Sequence, residues 1–246
     1  MGEARFLGGT VVQKLLVCGA ALLIVLVVSA LLPRLVLVPR VSSELEQFIA
    51  DEFHAQKVAV DLPGGGGWSL LVGLIPAISI ELEDGTVNGF PVTEAVLFAE
   101  GVRFHPWTLF REREFSYGGS DLLRISARVS AESLSEYFRQ HVPQIPDLVV
   151  EVDHSQLQFS GTIDLLGVPW HLALGVAVET ADQTVLRFVP VALRLEQAAV
   201  PPALVDLLQE YFRLEVDLDQ FPFPIRIAAA EVEAGGIALV VEEIVE

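Results

Sequence analysis

The chain reads as an α+β protein in which antiparallel strands meander and a few helices pack on one face, preceded by one N-terminal transmembrane helix. Three observations predict this. Leu15–Leu32 is an uninterrupted apolar run. After it, about ten segments show strand periodicity and are joined mainly by short turns. Amphipathic helical stretches lie between them, the pattern of helices on one face of an antiparallel sheet.

The apolar run holds eighteen residues. At about 1.5 Å per residue they make a helix about 30 Å long, the depth of a bilayer's hydrocarbon core. This divides the chain into a short cytoplasmic head (1–14), an anchor or uncleaved signal (15–33), a linker (34–42) and an exported domain (43–246). Arg5 and Lys14 precede the run and Arg34 and Arg40 follow it, a tie that the free amino terminus breaks. A short basic head stays cytoplasmic, which places the domain on the extracytoplasmic side of the cell membrane. Val28-Ser29-Ala30 offers small residues to a signal peptidase, but the run exceeds a signal peptide's usual core, so a retained anchor is preferred over cleavage. Cys18, the lone cysteine, lies inside the span as an apolar filler, which leaves the domain without disulfides or thiolate metal sites.

From Val41 onward eleven basic residues stand against thirty-two acidic ones, a net charge of −21. Such a surface repels phosphate backbones, which argues against nucleic acid as a partner. Its ordinary meaning is solubility.

Each element has its own signal. Ser43-Glu44-Leu45-Glu46 reads as a capping box opening a helix to about His54, with Leu45, Phe48, Ile49 and Phe53 on one face. A second helix starts near Ser130, with Leu134, Tyr137, Phe138 and Val142 in its stripe; a third starts at Pro201-Pro202. Each leads into a strand: Val58–Leu62, Val149–Asp153 and Leu214–Leu218. Further strands are expected at Ala77–Leu82, Ala95–Phe104, Leu122–Val129, Leu157–Leu165, Trp170–Val178, Val185–Leu195, Ile225–Val232 and Ile237–Val241. Asp84-Gly85, Asn88-Gly89, Gly118-Gly119 and Gly235-Gly236 supply turns between them.

Two segments stand out. In the strand from Trp170, bulky Trp170, Leu172, Leu174, Val176 and Val178 alternate with Ala173, Gly175 and Ala177, so its second face is small without being polar. A packed helix or a ligand would suit that face. The stretch from Gly64 to Ile75 is an irregular apolar insertion, open between a membrane-facing lip and a short buried helix.

Catalytic signatures are missing. There is no G-x-S-x-G, H-E-x-x-H or G-x-x-x-x-G-K-[ST] motif, and His54, His105, His141, His154 and His171 have no partner at ligand spacing. Glu81, Glu83 and Asp84, like Glu112 and Glu114, read as solvated turns. No catalytic residue, metal or cofactor is assigned, and the expectation is a protein that is not an enzyme. A glycosidase-type carboxylate pair built from distant positions has no local signature and stays open.

The segments Ala127–Leu134, Val150–Asp153, Phe159–Pro169 and Phe221–Ile227 together resemble the bacterial LmeA-like phospholipid-binding family. The likeness is best over about Ser126 to Val241 and thins between Leu62 and Tyr117. It implies a strongly curved antiparallel sheet folded around a helix, like the tubular lipid-binding proteins, and phospholipid as the partner. It carries no ligand residues over. Composition alone nominates Trp68, Leu71, Trp107, Trp170, Leu172, Leu174, Phe221 and Phe223 as lipid-binding candidates, for all of which core packing is the commoner role.

Energetics define the site to look for. Withdrawing a chain of about sixteen carbons from a bilayer costs on the order of 12 kcal/mol at about 0.8 kcal/mol per CH₂. Recovering it takes roughly 500 Å² of apolar contact, which calls for a groove or tube and not a surface patch. The expected function is phospholipid binding by an anchored envelope protein, for transfer or sensing. The alternatives are an assembly protein whose apolar surface binds another envelope protein, and a hydrolase of envelope polymers.

Overall fold

The computed structural model describes residues 35–64, 67–112, 115–153, 156–165, 168–195, 214–218 and 224–244. The expected membrane span, the Pro201-Pro202 helix and the Phe221–Phe223 segment lie outside them. Among the described residues, no helix is long and apolar enough to cross a membrane.

Helix α1 (35–53) opens the described chain. It buries Val41, Leu45 and Ile49, spaced four apart on one face, and ends at His54, whose φ of 50° is the left-handed conformation of a helix C-terminus. The expected capping box does not start it. Residues 35–42, read as a linker, are already helical, and Ser42 returns its hydroxyl to the Val38 carbonyl at 3.0 Å within the helix.

The strands follow as β1 (Lys57–Asp61), β2 (Leu74–Val87), β3 (Phe90–Arg103), β4 (Leu122–Ser130), β5 (Val149–Asp153), β6 (Gln156–Leu165), β7 (Val168–Thr180), β8 (Val185–Leu195), β9 (Leu214–Asp217), β10 (Ile225–Glu233) and β11 (Gly236–Glu243). Between them stand α2 (Gly67–Leu71), α3 (Pro106–Glu112) and α4 (Ala131–His141). Every strand pairing is antiparallel, as expected.

The single curved sheet, however, is divided in two. One open sheet runs β1-β2-β3-β4-β11-β10 and the other β5-β6-β7-β8-β9. The division follows from β11, which returns from the C-terminus to take the free edge of β4. With that edge occupied, the chain leaving α4 has to begin a new ladder with β5 and β6.

Asp84-Gly85, expected as a turn, lies inside β2. Register with β3 continues across it from Glu83↔Glu94 to Gly85↔Val92, but Asp84 sits at φ 50°. On either side the buried set changes parity: Ile78, Ile80 and Leu82 face inward before it, Gly85 after it. β3 makes the matching change between Ala95 and Val92, so one residue in each strand is skipped together. Such irregularities add local twist, and here a side chain on Gly85 would press on the Phe53 carbonyl and Ala55 at the end of α1.

α4 joins the sheets. Ser130 caps it by accepting from the Ser133 amide at 3.1 Å. Phe138, fully buried, places its ring edge-on to Phe159 of β6 (4.7 Å) and Phe188 of β8 (5.2 Å), while Tyr137 meets Phe90 of β3 at 5.2 Å. Ser135, also buried, donates to the Ala131 carbonyl and accepts from the Val150 amide at 2.8 Å, tying the edge strand β5 to the helix. Ser135→Ala leaves that amide without its partner and is expected to cost about 2 kcal/mol. A lowered urea midpoint with an unchanged slope is the outcome to look for.

Candidate functional site

α1 lies along the inner face of the six-stranded sheet, and its direction is set by two contacts. Glu46 accepts from the Val60 amide of β1 at 3.2 Å, and beyond the helix end the Gln56 amide donates to the Asp84 carbonyl at 3.1 Å. The C-terminus of α1 therefore sits by the β2–β3 hairpin, and its N-terminus points toward the opposite end, where α2 and α3 lie.

Helix and sheet do not close completely. Between them is a cavity of about 240 Å³. Leu45, Phe48, Ile49 and Phe53 of α1 form its roof. The floor is Ile78, Ile80 and Leu82 of β2, Ala95, Leu97 and Ala99 of β3, Leu123, Ile125 and Ala127 of β4, and Leu239 and Val241 of β11. Phe90, Val92 and Leu218 wall it toward the five-stranded sheet, and Val102, Phe115 and Tyr117 at the far end. Phe115 is held there by stacking on Phe104 (5.9 Å) and by Phe48 (6.4 Å).

Side-chain volume explains the hollow. Ala95 and Ala127 stand directly opposite in the β3–β4 register, and Ala99 is a third small residue on the same floor. Where Leu or Ile would reach α1, these methyl groups stop short.

Among the described residues, no carboxylate, imidazole, amine or thiol lines the cavity, and Thr86 and Tyr117 are the polar side chains that do. The Tyr117 hydroxyl donates to Glu243 Oε1 at 2.7 Å and lies 3.0 Å from Ser120 Oγ, which donates to the other carboxylate oxygen. Burial, reinforced by the Glu243 carboxylate, pushes the phenol up to about 12. The folded state thus favours the protonated form. The stability this contributes is complete below the ordinary value of 10.0 and is lost as the pH rises through about 12. Tyr117→Phe is expected to flatten that alkaline loss, which thermal melts of the two proteins across the same window will register. Among the described residues, no group of three or more His, Cys, Asp or Glu is placed to hold a metal ion. The chemistry this arrangement offers is shelter for hydrocarbon.

Of the eight residues nominated from the sequence, none of the six described ones lines the cavity. Trp68 and Leu71 on α2 and Trp107 on α3 are exposed; Trp170 is half-buried against the core. Leu172 and Leu174 are buried in the five-stranded sheet, and the small face opposite them, Ala173, Gly175 and Ala177, is half-buried. Phe221 and Phe223 fall outside the described residues. The lining that was missed had a signal in the alternation of small and large residues in Ala95–Ala99, opposite the apolar stripe of α1.

The family model for LmeA-like phospholipid-binding proteins matches residues 32–242. The chain belongs to that family. The match spans α1 and nearly all of both sheets, so the LmeA-like assignment covers the cavity as well as the segments in which the likeness is legible by eye. Curated proteins and solved structures give no match.

Proposed function

We propose that this LmeA-like protein is a membrane-anchored envelope protein that takes a phospholipid acyl chain into the hollow between α1 and the six-stranded sheet. The domain lies on the extracytoplasmic side, held by the apolar run Leu15–Leu32, and serves lipid transfer or sensing without catalysing a reaction. The observation that carries this reading is a cavity lined almost entirely by apolar side chains in a member of a phospholipid-binding family.

Its volume of about 240 Å³ is at the lower edge of ligand pockets, roughly 300–1,000 Å³. One chain segment fits the reading, with the headgroup left outside. Deeper insertion requires α1 to lift from the sheet. Such motion breaks the Glu46–Val60 hydrogen bond and otherwise parts apolar, nondirectional contacts.

The test is photocrosslinking of the full-length protein in vesicles that contain a phospholipid with a photoactivatable acyl chain. Adducts on peptides carrying Phe48, Leu97 or Ile125 are the expected result. Adducts confined to residues 1–34 would sink the reading.

A further inference from the structure

We infer that the end of the domain bearing α2 and α3 docks into the bilayer interface, with Trp68 and Trp107 as its anchors. The inference rests on the membrane-anchored placement proposed above and goes beyond it by naming the surface that meets the lipid.

Two links bring α2 and α3 together. The Gly73 carbonyl, just after α2, accepts from the Phe104 amide at 2.9 Å. Gly73 sits at φ 79°, and a Cβ there would collide with the Phe104 carbonyl and come within 3.0 Å of Pro106, the first residue of α3. Only glycine permits this approach. It sets Gly73, two residues after the helix carrying Trp68 and Leu71, against Pro106 at the start of the helix carrying Trp107.

The surface so formed is unusual for an acidic domain. Trp68 is 56 % exposed, Val72 78 % and Trp107 73 %, and Leu71 and Leu74 are exposed beside them. Single exposed apolar side chains are ordinary, whereas several in neighbouring segments mark an interaction surface. Tryptophan in particular concentrates at the membrane–water boundary, where its ring is apolar and its N–H stays wet.

The chain identifies the occupant. The N-terminus of α1 points to this same end, where Leu35 and Val36 are also exposed. The eighteen-residue apolar run Leu15–Leu32 stops three positions before Leu35. A bilayer holding that run would be met first by the end at which α1 begins. Arg40 and Arg111 are exposed here, against Glu112 and Asp121, so the acidic excess of the domain is not concentrated on this face. Val102, at the end of the cavity away from the five-stranded sheet, is two residues from Phe104. Docking would thus bring the hollow close to the lipid it is proposed to accept.

The chain's three tryptophans provide the test. Full-length protein is reconstituted in phosphatidylcholine vesicles with brominated acyl chains, which quench only fluorophores that enter the bilayer, and the vesicles are recovered by flotation. Trp170→Phe, which keeps Trp68 and Trp107, is expected to lose most of its emission. Trp68→Phe/Trp107→Phe, which keeps Trp170, is expected to lose little; both variants change residues outside the buried core, and their thermal melts verify folding. Floating protein whose Trp68 and Trp107 emission is quenched no more than that of Trp170 overturns the docking and passes the patch to a protein partner. Protein that does not float overturns both the docking and the anchored placement. Quenching without acyl-chain adducts on α1 or the sheet supports the docking while rejecting lipid capture.

Discussion

Phe138→Ala is expected to lower the stability of the domain by about 4 kcal/mol, the range of a large aromatic removed from a close-packed core. The ring is fully buried and lies against the five-stranded sheet, edge-on to Phe159 of β6 and to Phe188 of β8. Its loss removes the aromatic contacts that hold α4 on the five-stranded sheet, and α4 cannot sink into the gap while Ser135 ties it to β5 and Ser130 caps it beside β4. Domains have about 5–15 kcal/mol in total, so the variant should be close to the edge of folding at ambient temperature. Urea unfolding followed by tryptophan fluorescence gives the number. A loss below about 1.5 kcal/mol, the cost of a volume-conserving swap, would mean that α4 is not held on the five-stranded sheet through this ring.

The second large effect concerns the cavity. Ala95→Phe/Ala127→Phe places two rings on the floor at the position where β3 and β4 bring two methyl groups face to face. Overpacking ordinarily costs about 1–3 kcal/mol per site, but here the added atoms enter space already empty, so folding should survive. Acyl-chain capture should not. Excluding even two methylenes forfeits about 1.6 kcal/mol, more than a tenfold loss of affinity, and two rings exclude several more. Photocrosslinking yield on the Phe48 and Leu97 peptides is the readout. Undiminished crosslinking in a folded variant would show that lipid is held elsewhere.

How much of this was legible beforehand depends on the range of the interaction involved. β7 and β10–β11 were readable because alternation and a Gly-Gly turn are local. α4 was readable from Ser130 onward because its cap and stripe lie within a dozen residues. Asp84-Gly85 misled, since the same dipeptide that makes a turn also relieves a strand pressed against α1, and only the packing of Phe53 and Ala55 on Gly85 selects between them. The start of α1 misled for a similar reason: Glu46, the acidic member of the Ser43–Glu46 pattern, accepts from the Val60 amide of β1 and not from a helix N-terminus, so a local capping pattern carried no boundary.

The candidate site was the least legible part. Large aromatic and aliphatic residues drew attention to Trp68, Trp107 and the Trp170 strand, yet a hollow is made by what is small. Ala95, Ala99 and Ala127 matter because they face a helix that lies about fifty residues or more away in the chain.

From its sequence alone, this protein is determined to be a strand-rich acidic domain behind an apolar segment and a member of its lipid-binding family, because composition, periodicity and turn chemistry act between near neighbours. The division into two sheets, the empty space beneath α1 and the meeting of α2 with α3 were decided only in three dimensions. Each depends on which distant surfaces come into contact, and on whether their side chains fill the gap between them.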